Sequence, residues 1–150
     1  MLLNLHPLVI LINLLVLGVA MTVHEFAHNY VAWKMGDPVP EKQGRLTLNP
    51  LVHINWVGWL MFAVIGFGIL GSAPISANRM RDPRWGYLAA VAAGPFSNLG
   101  LAIISGILIR ILGVGQNSLA MYFRPDLISS PMDIVMAILF AMVYLNILLF

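Results

Sequence analysis

His24, Glu25 and His28 are the residues of this chain whose types and spacing most directly specify chemistry. On an α-helix, at roughly 100° per residue, positions 24 and 28 differ by about 40° around the axis, so both imidazoles project from one face. Two imidazoles one turn apart supply two arms of a metal site, and zinc is the metal that the H-E-x-x-H pattern holds. Glu25 lies beside that face, where its carboxylate can take a proton from a water that the metal polarises. The chain has no cysteine, which excludes thiolate ligands, thiolate nucleophiles and disulfides and leaves the four histidines as the main ligand candidates. A longer pattern with a later glycine and third histidine is absent, because Val31 and Lys34 stand in those places.

The element carrying these residues is unusual. No formally charged side chain precedes Glu25, and the stretch from Leu8 to Val23 is densely apolar. Counted from Leu8 at 1.5 Å per residue, His24 lies roughly 24 Å along the helix, within or near the hydrocarbon layer of a bilayer. An ionisable group at that depth is expensive and marks a functional site. The competing reading is a buried polar cluster that glues helices together.

Composition places the whole chain in the same solvent. Of 150 residues, 60 % are hydrophobic and 9 % charged, which leaves too little polar surface for a soluble globule and excludes disorder. A net charge of +2 gives no dense basic face, so no nucleic-acid partner is expected. Uncharged runs occupy Met1 to His24, Leu46 to Asn78 (apolar core Trp56 to Leu70), Trp85 to Ile109 and Ile134 to Phe150. Each is a membrane span or most of one, and open strands cannot cross lipid. The first lacks a basic leader and a small-residue cleavage site, so it is expected to be retained. The sequence therefore predicts an all-α, multi-pass integral membrane protein with about four transmembrane helices, in the cell membrane if the source is prokaryotic. A loop or hairpin follows the first helix, which Gly36-Asp37-Pro38 should end, and Arg45-Leu46-Thr47-Leu48 could form a short strand there. Ser129-Ser130-Pro131 with Asp133 reads as the start of the last helix.

Taken together, His24-Glu25-Phe26-Ala27-His28, Gly36-Asp37-Pro38, Gly44-Arg45-Leu46-Thr47-Leu48-Asn49-Pro50, His53-Ile54, Ala73-Pro74-Ile75, Asp82-Pro83-Arg84 and Ala93-Gly94-Pro95-Phe96-Ser97-Asn98 resemble the site-2 protease family of intramembrane zinc metalloproteases. The likeness runs over roughly residues 15 to 150. It implies one Zn²⁺ per chain held by His24 and His28, Glu25 as catalytic base, and hydrolysis of peptide bonds in or near transmembrane segments of other membrane proteins. It also implies a membrane-associated hairpin from Gly36 to Asn55, onto which an unwound substrate could add as a strand. One departure is Asn55, where many relatives carry Asp. The alternative from another class is a non-catalytic metal-binding scaffold or an ion transporter.

Other residues have weaker claims. Asn98 could donate to the reacting carbonyl or orient the site, or serve as interhelical glue. His53 could steer substrate or water, though a loop histidine at the interface is the simpler reading, and His6 is expected at the interface. Catalytic zinc normally has three protein ligands. Asp126 and Asp133 are rival third ligands, but a polar loop and a helix start account for them. The resemblance implies instead a third ligand from an Asp in a Leu-Asp-Gly motif that would follow Asn146-Ile147-Leu148-Leu149-Phe150. Residues 1–150 are thus expected to be a single metalloprotease core lacking its C-terminal end. Sequencing the source locus past codon 150 should find the frame continuing through Pro and Leu-Asp-Gly; a stop codon with full activity would contradict it.

Overall fold

The computed structural model describes residues 6–65, 71–112 and 118–150. Three long helices dominate it: α1 (Pro7–Lys34), α5 (Pro83–Ile111) and α7 (Pro131–Leu149). The shorter helices are α2 (Val39–Lys42), α3 (Pro50–His53), α4 (Trp56–Ile65) and α6 (Ser118–Phe123). No strand occurs among the described residues; β-type pairing is limited to one antiparallel bridge between Ile54 and Gly71.

Each long helix starts with the same device: a side chain that accepts the first free amides, then proline, whose missing N–H costs nothing there. His6 accepts from the Leu8 amide before Pro7, and Asp82 from the Arg84 and Trp85 amides before Pro83. Ser130 and Asp133 form a reciprocal capping box around Pro131, as the sequence led one to expect. At the other end of α1 the chain turns at Gly36, whose φ of 108° lies where only glycine is at ease.

All three long helices are long and apolar enough to cross a membrane. The protein is a multi-pass integral membrane protein. The remaining expected span, Trp56 to Leu70, is described only as far as Ile65, ten residues or about 15 Å of helix, and its last part lies outside the described residues. Side chains such as Leu15, Ile103, Ile104 and Ile107 are more than half exposed, the arrangement of helices whose outer surface meets lipid. Inside, α5 packs along α1, and α7 packs on both. Small residues at the contacts, among them Ala20, Ala90, Ala137 and Ala141, are fully buried and let the backbones approach closely.

The expected strand at Arg45 to Leu48 is not formed. Its backbone groups find other partners: the Arg45 amide donates to the Pro40 carbonyl at 2.9 Å, and the Thr47 carbonyl accepts from His53 Nε2–H at 2.7 Å. With no strand beside it among the described residues, turn and side-chain bonds take its backbone groups. The loop between the first two apolar segments is therefore two single-turn helices, α2 and α3, joined by bends rather than a β-hairpin.

At one end of the bundle, Val9, Ile12 and Val16 of α1 pack with Ala137 and Ala141 of α7 and with Tyr122 of α6. The Tyr122 hydroxyl donates to Asn13 Oδ1 at 2.7 Å in a buried setting. Tyr122→Phe should lower the unfolding free energy in detergent by about 1–3 kcal/mol, because it leaves that oxygen buried without a donor. The double variant Asn13→Leu/Tyr122→Phe should recover most of the loss, and an unchanged single variant would show that the bond contributes nothing.

A candidate metal centre between two helices

His24, Glu25 and His28 lie on α1, eight to twelve residues before Gly36, and the two histidines face α5. The two imidazoles sit edge to face, with ring centroids 4.6 Å apart. Opposite them is Gly94. A Cβ placed there would lie 2.7 Å from His24 Nε2 and would also collide with His28 Nε2. Both Nε2 atoms therefore point at one spot on the α5 backbone, which only glycine leaves open.

The far nitrogens are held by α5. His28 Nδ1 lies 2.7 Å from the Ala90 carbonyl oxygen, which can only accept, so Nδ1 carries the proton and Nε2 keeps its lone pair. His24 Nδ1 lies 3.0 Å from Asn98 Nδ2, and Asn98 Oδ1 is fully buried with no partner among the described residues. Ala90, Gly94 and Asn98 are spaced four residues apart, so one stripe of α5 builds the whole opposing wall.

Glu25 is 5 % exposed and stands on the side facing Gly71. Its Oε1 would lie 2.5 Å from a Cβ on that residue, while Oε2 is buried and unpartnered among the described residues. Gly71 is held there by its bridge to Ile54 and by Arg45, whose Nη1 donates to the neighbouring Ser72 carbonyl at 2.6 Å. Asn29, fully buried one turn after Glu25, donates through Nδ2 to the Glu25 backbone carbonyl at 2.7 Å.

The remaining candidates are elsewhere. His53 is buried and donates to Thr47, which closes the α3 loop rather than reaching the His24–His28 pair. His6 is exposed and caps α1. Asp126 pairs with Arg124 at 2.8 Å and Asp133 is occupied by its capping box. No set of three His, Asp or Glu side chains that could hold a metal occurs among the described residues. Ala90, Gly71 and Asn29 carry no signal in the sequence beyond being small or polar residues in apolar runs. Gly94 lies within the Ala93-Gly94-Pro95 motif, but only the helix crossing shows what its missing side chain is for.

The donor set fits a zinc ion in part: two imidazoles whose Nε2 atoms converge, that of His28 with its lone pair free, each with its other nitrogen tied to a polar group, as metal-ligating histidines usually are. His24→Ala and His28→Ala should sharply reduce zinc in the purified protein, whereas His53→Ala and His6→Ala should leave it near the parent level. Gly94→Ala, which alters no ligand, should also lose zinc, because its methyl group occupies the space at both Nε2 atoms. Metal analysis checks all five; loss in His53→Ala or full retention in Gly94→Ala would contradict this geometry.

Two named relatives are similar to this sequence. The chain is 40 % identical over 119 residues to "Putative zinc metalloprotease YwhC" of Bacillus subtilis, covering 78 % of this chain and 54 % of that protein. It is 33 % identical over 90 residues to "Putative zinc metalloprotease Rip2" of Mycolicibacterium smegmatis, covering 57 % of this chain and 34 % of that protein. The chain thus spans about half the length of the first and a third of the second. No family model and no solved structure matches it. Both likenesses, 40 % and 33 % identical to proteins named as zinc metalloproteases, agree with the resemblance of this chain to the site-2 protease family.

Proposed function

We propose that this chain is the core of an intramembrane zinc metalloendopeptidase that hydrolyses peptide bonds in or near transmembrane segments of other proteins. The observation that carries the reading is the convergence of two imidazole Nε2 atoms on Gly94 with the Glu25 carboxylate on the position next to His24 of the same helix. The names of the two relatives support it.

His24 and His28 would hold the metal, with a third ligand outside the described set. Zinc bound there would polarise the scissile carbonyl and make water acidic enough to attack it. Glu25 accepts the proton from the attacking water at its unpartnered Oε2 and returns it to the leaving amine. Asn98 serves by its amide oxygen. An amide can present either end to a neighbour, and with Oδ1 toward His24 Nδ1–H the His24 Nε2 lone pair is free and the orphaned oxygen gains its donor. The site is thus built from residues that fix proton positions before any substrate arrives.

The substrate side is apolar. A cavity of about 500 Å³ lies beside α1 just before His24, lined by Gly18, Val19, Thr22, Val23, Ile54 and Trp59 among others. It suits the side chains of a membrane segment entering from lipid and shares Ile54 with the bridge that flanks Glu25.

Glu25→Gln keeps the size of the side chain and both imidazoles but removes the base. Cleavage of a reporter membrane protein by zinc-loaded protein should fall roughly 10²- to 10⁴-fold, with zinc content retained. Survival of cleavage would end the protease reading. Zinc flux into sealed vesicles, abolished by the same change, would favour the transporter class instead.

A further inference from the structure

Asp37 lies nine residues beyond His28 and has no part in holding metal, yet it is the most completely satisfied carboxylate among the described residues. It is 0 % exposed. Oδ1 accepts from the Val39 amide at 3.1 Å and from Arg79 Nε at 2.7 Å; Oδ2 accepts from the Ser76 amide and from Arg79 Nη2, each at 3.0 Å. Arg79 Nη2 also donates to the Pro74 carbonyl at 2.8 Å, and the Arg81 amide donates to the Met35 carbonyl at 2.8 Å. A buried carboxylate with this many donors is a rigid joint, because losing any donor leaves charge uncompensated.

The joint connects two particular pieces of chain. One is the turn that leaves α1, the helix bearing His24, Glu25 and His28. The other is the segment from Gly71 to Arg79, whose first residue lies so close to Glu25 that a Cβ there would collide with the carboxylate. The near end of this strap is tied by the Ile54–Gly71 bridge and by Arg45 on the Ser72 carbonyl. Its far end is tied by Asp37. Ile75 in between rests on the cluster of Ala32, Met80 and Ala90, which belongs to the same α1–α5 contact as the two histidines.

We propose that Asp37 is a positioning residue for the site: through Arg79 and the Ser76 amide it clamps the Gly71–Arg79 strap against Glu25 and so fixes the direction of the Glu25 carboxylate. The clamp acts on the base and not on the metal. This inference rests on the protease reading for its effect on rate, but not for its effect on the strap.

The absence of native cysteine allows both to be measured. A reporter thiol is placed by Ala73→Cys in the half-buried strap, and a control thiol by Ala120→Cys in α6. Asp37→Asn and Arg79→Gln should each raise the labelling rate at position 73 several-fold and leave position 120 unchanged. Zinc content should hold, and kcat on a reporter membrane protein should fall roughly 10- to 100-fold with KM little altered. Arg79→Lys keeps the charge but loses the two-pronged contact, and should fall between; it also serves if Asp37→Asn does not fold. Unchanged labelling at 73, equal increases at 73 and 120, loss of zinc, or faster labelling with kcat intact would each overturn the proposal. Measured in the full reading frame, variants that respond in labelling while the parent cleaves nothing would keep the clamp and remove the protease reading.

Discussion

The structure depends on one close approach: α1 and α5 meet where Gly94 has no side chain, and the two histidines of α1 fill the gap. Bringing two transmembrane helices this near gains dispersion contact and lets each helix offer backbone and amide partners to the other's polar groups. Here the partners are specific. The Ala90 carbonyl sets the proton on His28, and Asn98 faces the inner nitrogen of His24. Alanine at position 94 would push the imidazoles away from the spot they share. Packing and the placement of the two imidazoles are thus one constraint.

Polar groups in such a bundle have no water to fall back on, so their treatment is informative. Asn13 is matched by Tyr122, and Asn29 and Asn146 return their amides to carbonyls of their own helix. Asp37 is matched four times over. Burial by itself would push its carboxyl up, but hydrogen bonds from Arg79 and from the Val39 and Ser76 amides outweigh it and hold the group below the usual carboxylate range. The atoms left without partners among the described residues include Glu25 Oε2 and Asn98 Oδ1, and both belong to the candidate site. Asn29 Oδ1, Asn146 Oδ1 and His53 Nδ1 are likewise buried without a partner among the described residues, so unmet capacity is not confined to the candidate site.

The extramembrane pieces serve the same arrangement. Neither α2 nor α3 is long enough to be stable alone. They hold because proline and glycine punctuate them and because Arg45, His53 and Asp37 reach across to other segments. The result carries Ile54 to Gly71 and the strap to Glu25 without a sheet.

Much of this was legible in the residue order. The H-E-x-x-H spacing fixes a shared helical face by periodicity alone, the charge-free runs require helices in lipid, and Ser130-Pro131 with Asp133 marks a helix start by local hydrogen bonding. These are short-range properties, set by 1.5 Å and 100° per residue and by the nearest amides. The strand expected at Arg45 to Leu48 failed for a reason of another kind: pairing needs a neighbour, and the tertiary structure supplied turn and side-chain partners instead. The roles of Gly94 and Gly71 were hidden for the same reason, since an absent side chain has meaning only against what would collide with it. The sequence by itself determined which residues can do chemistry and which helix carries them. Only the crossing of α1 with α5 decided where the two Nε2 atoms meet and what covers Glu25, because those distances join residues about fifty to seventy positions apart that no local rule connects.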